Sequence, residues 1–151
     1  MANFNLWARS NYFKIKHPDK YKKFIEDYGL NLITNNALDV ELPNSLYGFL
    51  CCNEGIPDYI EQDFNIDGII SNKPLIEFLE RNIFEELAEQ LQEDQVAVVI
   101  EVGQEKLRYL GGIAIAVNSK GETVQIDLND IYKQASEKFN IPIENIEEAS
   151  Y

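Results

Sequence analysis

Residues 63–71 read Asp-Phe-Asn-Ile-Asp-Gly-Ile-Ile-Ser, the first nine positions of a calcium-binding loop, in which alternate side-chain oxygens turn inward and the glycine permits the sharp turn. Asp63, Asn65 and Asp67 are therefore the candidate metal ligands. The twelfth position, where a bidentate glutamate belongs, is Pro74; Phe64 and Ile66 stand where polar residues are usual, and Glu77 comes three residues late. The expectation is no cofactor, with Asp63 and Asp67 as turn and cap residues, and calcium is the alternative. A second constellation is Glu101, Arg108 and Tyr109, with Glu105 and Lys106 beside them. A two-residue turn at Gln104-Glu105 sets Val96 opposite Ile113, Ile100 opposite Tyr109 and Glu101 opposite Arg108. The expected product is a cross-strand salt bridge; facing a pocket, the same charges would hold a polar ligand.

Nucleophilic chemistry has little material. The one histidine, His17, sits in a basic strip between Lys16 and Pro18, and the two cysteines, Cys51 and Cys52, are adjacent within an apolar run that begins at Leu46. Adjacent trans-linked residues lie ~3.8 Å apart at Cα, short of the usual disulfide span, so both read as reduced thiols, and buried ones. Gly103, Gly111 and Gly112 fall in a strand-rich stretch and not between a strand and a helix, which excludes a glycine-rich phosphate loop. Gly111-Gly112 reads as a bulge or as room for a bulky neighbour.

Charge is more informative. The 151 residues carry 26 acidic and 13 basic side chains, for a net charge of −13. Six of the bases lie in residues 1–23 against Asp19 alone, whereas residues 24–72 hold nine acids and no Lys or Arg. Such a field disfavours direct nucleic-acid binding and anionic lipid, because phosphate binding rests on neutralisation by Lys and Arg. Solubility alone accounts for an acidic excess. The functional reading is attraction to a protein partner with a basic surface, including mimicry of nucleic acid, through Glu26, Asp27, Asp39, Glu41, Glu54, Asp58 and Glu61. No run of ~18 apolar residues exists to span a bilayer, and residues 1–5 lack a basic region followed by an apolar core, so the expected setting is cytoplasmic with no membrane contact.

The elements that must position these residues follow from periodicity. Residues 11–16 alternate as a strand; Pro18 opens a helix whose buried face is Tyr21, Phe24, Ile25 and Tyr28, and Gly29 stops it. Strands are expected at 30–34 and 46–52. Pro74 opens a second helix, with Leu75, Leu79, Ile83, Phe84, Leu87 and Leu91 as its stripe and a break near Arg81-Asn82. Residues 96–103, 106–117 and 122–126 form an antiparallel meander. Its predicted faces are Val96, Val98, Ile100, Val102, Leu107, Tyr109 and Ile113 on one side and Ala97, Val99, Leu110, Ala114 and Ala116 on the other. Both are apolar, so the sheet needs two covers, by helices on either side or by helices and a second subunit, and a homodimer follows as an expectation. A last helix, capped by Asp127, should bury Leu128, Ile131, Tyr132, Ala135 and Phe139; the acidic tail 144–151 reads as a frayed turn. Trp7, beside Phe4 and Leu6, reads as part of an arm folded onto the core, with an exposed anchor as the alternative. The sum is one α+β domain over residues 1–151, an antiparallel sheet packed by about three helices.

The stretch from Val102-Gly103-Gln104-Glu105-Lys106 through Gly111-Gly112 to Gly121-Glu122-Thr123, with Asn11-Tyr12-Phe13, resembles small acidic bacterial, plasmid and phage proteins of unassigned function. That resemblance implies docking to another macromolecule, including defence inhibition, and supplies no activity. The sequence therefore reads as a non-enzymatic, acidic protein-binding module; a small enzyme, or a ligand- or calcium-binding protein, is the alternative.

Overall fold

The computed structural model describes residues 5–36, 44–52, 55–57, 59–60, 81–105, 109–147 and 149. Among them are three helices and a six-stranded antiparallel sheet, an α+β architecture. The strands are β1 (Asn5–Ser10), β2 (Asn31–Thr34), β3 (Tyr47–Cys52), β6 (Val96–Glu105), β7 (Tyr109–Asn118) and β8 (Thr123–Asp127), in the order β2-β3-β1-β6-β7-β8. A separate two-stranded ribbon pairs β4 (Tyr59–Ile60) with β5 (Arg81–Asn82).

Helix α1 (Pro18–Asp27) forms where expected: proline at its first position needs no N–H partner, and Tyr21, Phe24 and Ile25 point inward. Gly29, at φ +62°, reverses the chain in a conformation that costs a Cβ-bearing residue energy, and the Gly29 and Leu30 N–H groups donate to Glu26 O and Ile25 O. Helix α2 (Ile83–Gln90) begins at the expected break. Its N-cap is Asn82, whose Oδ1 accepts from Phe84 N–H at 2.9 Å, and it buries Ile83, Leu87 and Ala88. The helix turns expected upstream of Arg81 lie outside the described residues.

Both helices lie over one face of the sheet. Phe13, Phe49, Leu87, Leu91, Ala97, Val99 and Val117 are each at most 1% exposed there, and a side chain such as Leu87 contributes about 2 to 3 kcal/mol by leaving water. Tyr21 meets Phe13 and Tyr47 edge-on, both at 5.9 Å, and stacks on Phe24 at 5.7 Å.

Three expectations are corrected. The first strand is Asn5–Ser10, not 11–16; residues 11–16 contribute two isolated bridges, Phe13 to Tyr47 and Ile15 to Leu91. The alternation there is real, since Phe13 and Ile15 are buried, but Asn11 ends the ladder by substituting its side chain for backbone. Asn11 Nδ2 donates to Val96 O, and Oδ1 accepts from Val98 N–H. The second correction is register. In the pairing of β6 with β7, Glu105 faces Tyr109, Glu101 faces Ile113 and Val96 faces Asn118. Relative to the expected pairing this is an odd shift, and an odd shift turns every β7 side chain over. Third, the C-terminal helix α3 (Asp130–Phe139) buries none of its residues, and its N-cap is Asn129, not Asp127. Its stripe has formed, but in this fold no residue of the helix is buried. A 3-10 turn at Ile143–Asn145 follows.

Candidate functional site

The register assigns the faces. Trp7, Val102 and Gly112 are aligned across β1, β6 and β7, and Leu50, Arg9, Ile100, Ala114 and Ile126 across β3, β1, β6, β7 and β8. With Val96, Val98, Leu110, Ala116 and Val124 they form the face opposite the helices, because side chains alternate along each strand. Here Trp7 is 50% exposed, Ile100 54% and Ile126 62%. Trp7 thus corrects the expected packing of an arm onto the core: it stands on an inner strand of the sheet with half its surface in solvent.

The face is shaped. A groove of about 650 Å³ runs between Trp7, Leu50, Val98, Ile100 and Val102, and a smaller one of about 380 Å³ continues past Trp7 to Leu110 and Leu128. The ridge at Leu128 depends on Gly112: a Cβ there would stand 2.8 Å from Leu128 Cδ1, so glycine leaves the space that the leucine crosses, as the sequence led one to expect. Arg9 is the one charged strand residue on this face among the described residues, with its guanidinium 6.0 Å from the Tyr12 ring centroid. Contiguous apolar surface of this kind marks a protein or ligand contact far more often than a solvated face.

The corner leading from the face into α3 is fixed by hydrogen bonds. Leu128 N–H donates to Gly112 O, Asn129 N–H to Asp127 Oδ1 and Asp127 N–H to Asp130 Oδ2. Ile131 and Phe139 then stand 59% and 63% exposed on the helix.

The predicted site residues are not gathered in one place. Glu26 and Asp27 are exposed at the end of α1, in the helix layer. Glu101 lies on the helix-covered face, half-buried, where its Oε2 accepts from Ile56 N–H at 2.7 Å and holds the 55–57 segment. It faces Ile113 and not Arg108, so the expected cross-strand pair is not formed by this register; Tyr109 occupies the first position of β7. Arg108, Asp39, Glu41, Glu54, Asp58 and Glu61 lie outside the described residues, as does the whole loop with Asp63, Asn65 and Asp67. No group of three His, Cys, Asp or Glu among the described residues is placed to hold a metal. Cys51 is a buried thiol that donates to Gly55 O, and His17 is exposed at the start of α1. The Tyr21 hydroxyl is buried without a hydrogen-bond partner among the described residues, and burial pushes its phenol well above the usual range.

Two features escaped the sequence reading. One is the exposed acidic ridge of Glu85, Glu89, Glu93 and Asp94 on and after α2, in the same layer as Glu26; its signal was visible as repeated Glu on the polar side of the helix. The other is the groove beside Trp7; that both faces of the sheet are apolar was expected, but the groove depends on which strands lie side by side. Among helices of the described residues, none is long and apolar enough to cross a membrane. No protein-family model matches the chain, and neither a curated protein nor a solved structure matches it.

Proposed function

We propose that this protein is a non-enzymatic binding module that works by docking to other proteins, with the open sheet face as its apolar contact and the acidic helix layer as its electrostatic one. The observation that carries the reading is the apolar face over five strands, lined by Trp7, Leu50, Ile100, Val102 and Ile126, with Arg9 as its one described charge. An antiparallel sheet that meets only water on one side alternates apolar with polar residues, and this one does not. Aromatic and arginine side chains at the centre of such a patch are the usual energetic anchors of a protein interface.

The net charge of −13 selects the partner. It attracts a basic protein, steers its approach from a distance and repels nucleic acid, and Glu26, Asp27 and the α2 ridge are exposed to take part. The resemblance to small acidic phage and plasmid proteins points the same way, toward occupying the nucleic-acid-binding surface of a basic host protein.

The test is affinity capture from a bacterial lysate followed by mass spectrometry, run with the wild-type chain, with Ile100→Asp, and with Glu26→Gln/Asp27→Asn, at low and high salt. A basic protein held by the wild type, released by salt and lost from one of the variants is the expected result. Retention of the same partner by both variants with no salt dependence would remove the proposal.

A further inference from the structure

We infer that the open sheet face is occupied by a second copy of this chain, each protomer seating its α3 stripe in the groove beside Trp7 of the other. The inference rests on the docking-surface reading above and names the first occupant of that surface.

Each chain carries both halves of the contact. The receptor is the groove of about 650 Å³ along Trp7, Leu50, Val98 and Ile100. The insert is α3, on which Ile131, Ala135 and Phe139 recur every four residues and share one side of the helix. Ile131 to Phe139 spans about 12 Å along the axis, and three adjacent strands span about 10 Å, so the stripe reaches across β3, β1 and β6. Presenting apolar residues at this spacing to a groove is a standard mode of helix recognition.

Area favours a stable pair. Twelve large apolar side chains on the face and the C-terminal unit are 43% to 67% exposed, from Ile141 to Val124. At ~150 Å² per side chain they offer about 1,000 Å² per protomer, above the ~800 Å² per partner of a standard stable interface. The chain's own α3 does not supply the cover in this fold. The hydrogen bonds at Asp127, Leu128 and Asn129 fix its exit from β8, and in that direction Ile131 and Phe139 remain in solvent. A two-fold axis lets two copies satisfy both unpartnered surfaces at once, as an isologous contact requires.

Charge gives the pair a signature. Two chains of −13 repel, so self-association should strengthen as salt screens them, the reverse of binding to a basic partner.

Sedimentation equilibrium on the full chain tests the inference, with circular dichroism confirming that each variant is folded. The expected result is a dimer that tightens with salt and is weakened about thirtyfold or more by Ile100→Asp and by Ile131→Asp/Phe139→Asp. Mixing the two variants should restore part of the association, because one intact helix then meets one intact groove. A wild-type monomer at all concentrations overturns the inference; if Ile100→Asp still abolishes capture of a basic protein, the docking surface stands and its occupant is another protein. A dimer that survives Ile131→Asp/Phe139→Asp overturns it too, since the faces would then stack without the helix.

Discussion

On one side of the sheet, Phe49, Ala97, Val99 and Val117 lie beneath α1 and α2 with at most 1% of their surface in solvent; on the other, Trp7, Ile100, Val124 and Ile126 are half to two-thirds exposed. The difference is not one of hydrophobicity. Along β6 apolar residues point both ways, Val96, Val98, Ile100 and Val102 to the open side and Ala97 and Val99 under the helices. The covered face is a finished core, and the open face has the composition of a core whose second layer must come from elsewhere. Stability should therefore be concentrated on the first and binding on the second.

The largest effect should come from emptying the covered side. Phe49→Ala is expected to cost about 3 to 5 kcal/mol, read by urea unfolding, because the fully buried ring leaves a cavity in the core on the helix-covered side of the sheet. A smaller loss, about 1 to 3 kcal/mol, is expected for Ser10→Ala, since Ser10 Oγ accepts from the buried Phe49 N–H at 2.8 Å and the alanine offers that donor no acceptor. Tyr21→Phe should move stability the other way by about 1 kcal/mol, because it removes a buried hydroxyl that has no partner among the described residues.

Tyr21 also carries a pH signature. Its phenol is held above its ordinary 10.0 by burial, so the folded state keeps the proton that the unfolded state releases. The contribution is present below that value and is lost as pH rises beyond it. Unfolding curves measured on the alkaline side should fall more steeply for the wild type than for Tyr21→Phe. The smallest effect belongs to the open side: Ile100→Ala should change the unfolding free energy of dilute protein by under ~0.5 kcal/mol. A loss as large as that of Phe49→Ala would erase the contrast between the faces.

Legibility in the sequence followed how local the determining physics was. Helix α1 could be read almost residue by residue, since Pro18, the Tyr21-Phe24-Ile25-Tyr28 spacing and Gly29 are all local signals. The buried state of Cys51 and the space at Gly112 followed from their apolar and strand settings. The pairing of β6 with β7 did not. Two- and three-residue connections are both compatible with Gln104 to Arg108, and the choice rests on packing Ile113, Ile115 and Val117 against the helix side, a long-range effect. The sequence also read α3 correctly as amphipathic and wrongly as buried, because periodicity reports which side of a helix wants cover and carries no information on which molecule provides it. Of the candidate site, the need for two covers was visible in the alternating Val and Ala of β6 and β7, whereas the groove beside Trp7 depends on strand order.

Asn11 is where β1 leaves the sheet, and a primary amide there performs both halves of a backbone pairing, giving a proton to Val96 O and taking one from Val98 N–H. Deamidation would turn that group into a carboxylate, which can still accept but sets oxygen against oxygen at Val96. Chemical ageing at this one side chain would thus loosen the junction between β1 and the segment leading to α1 while the chain stayed uncut.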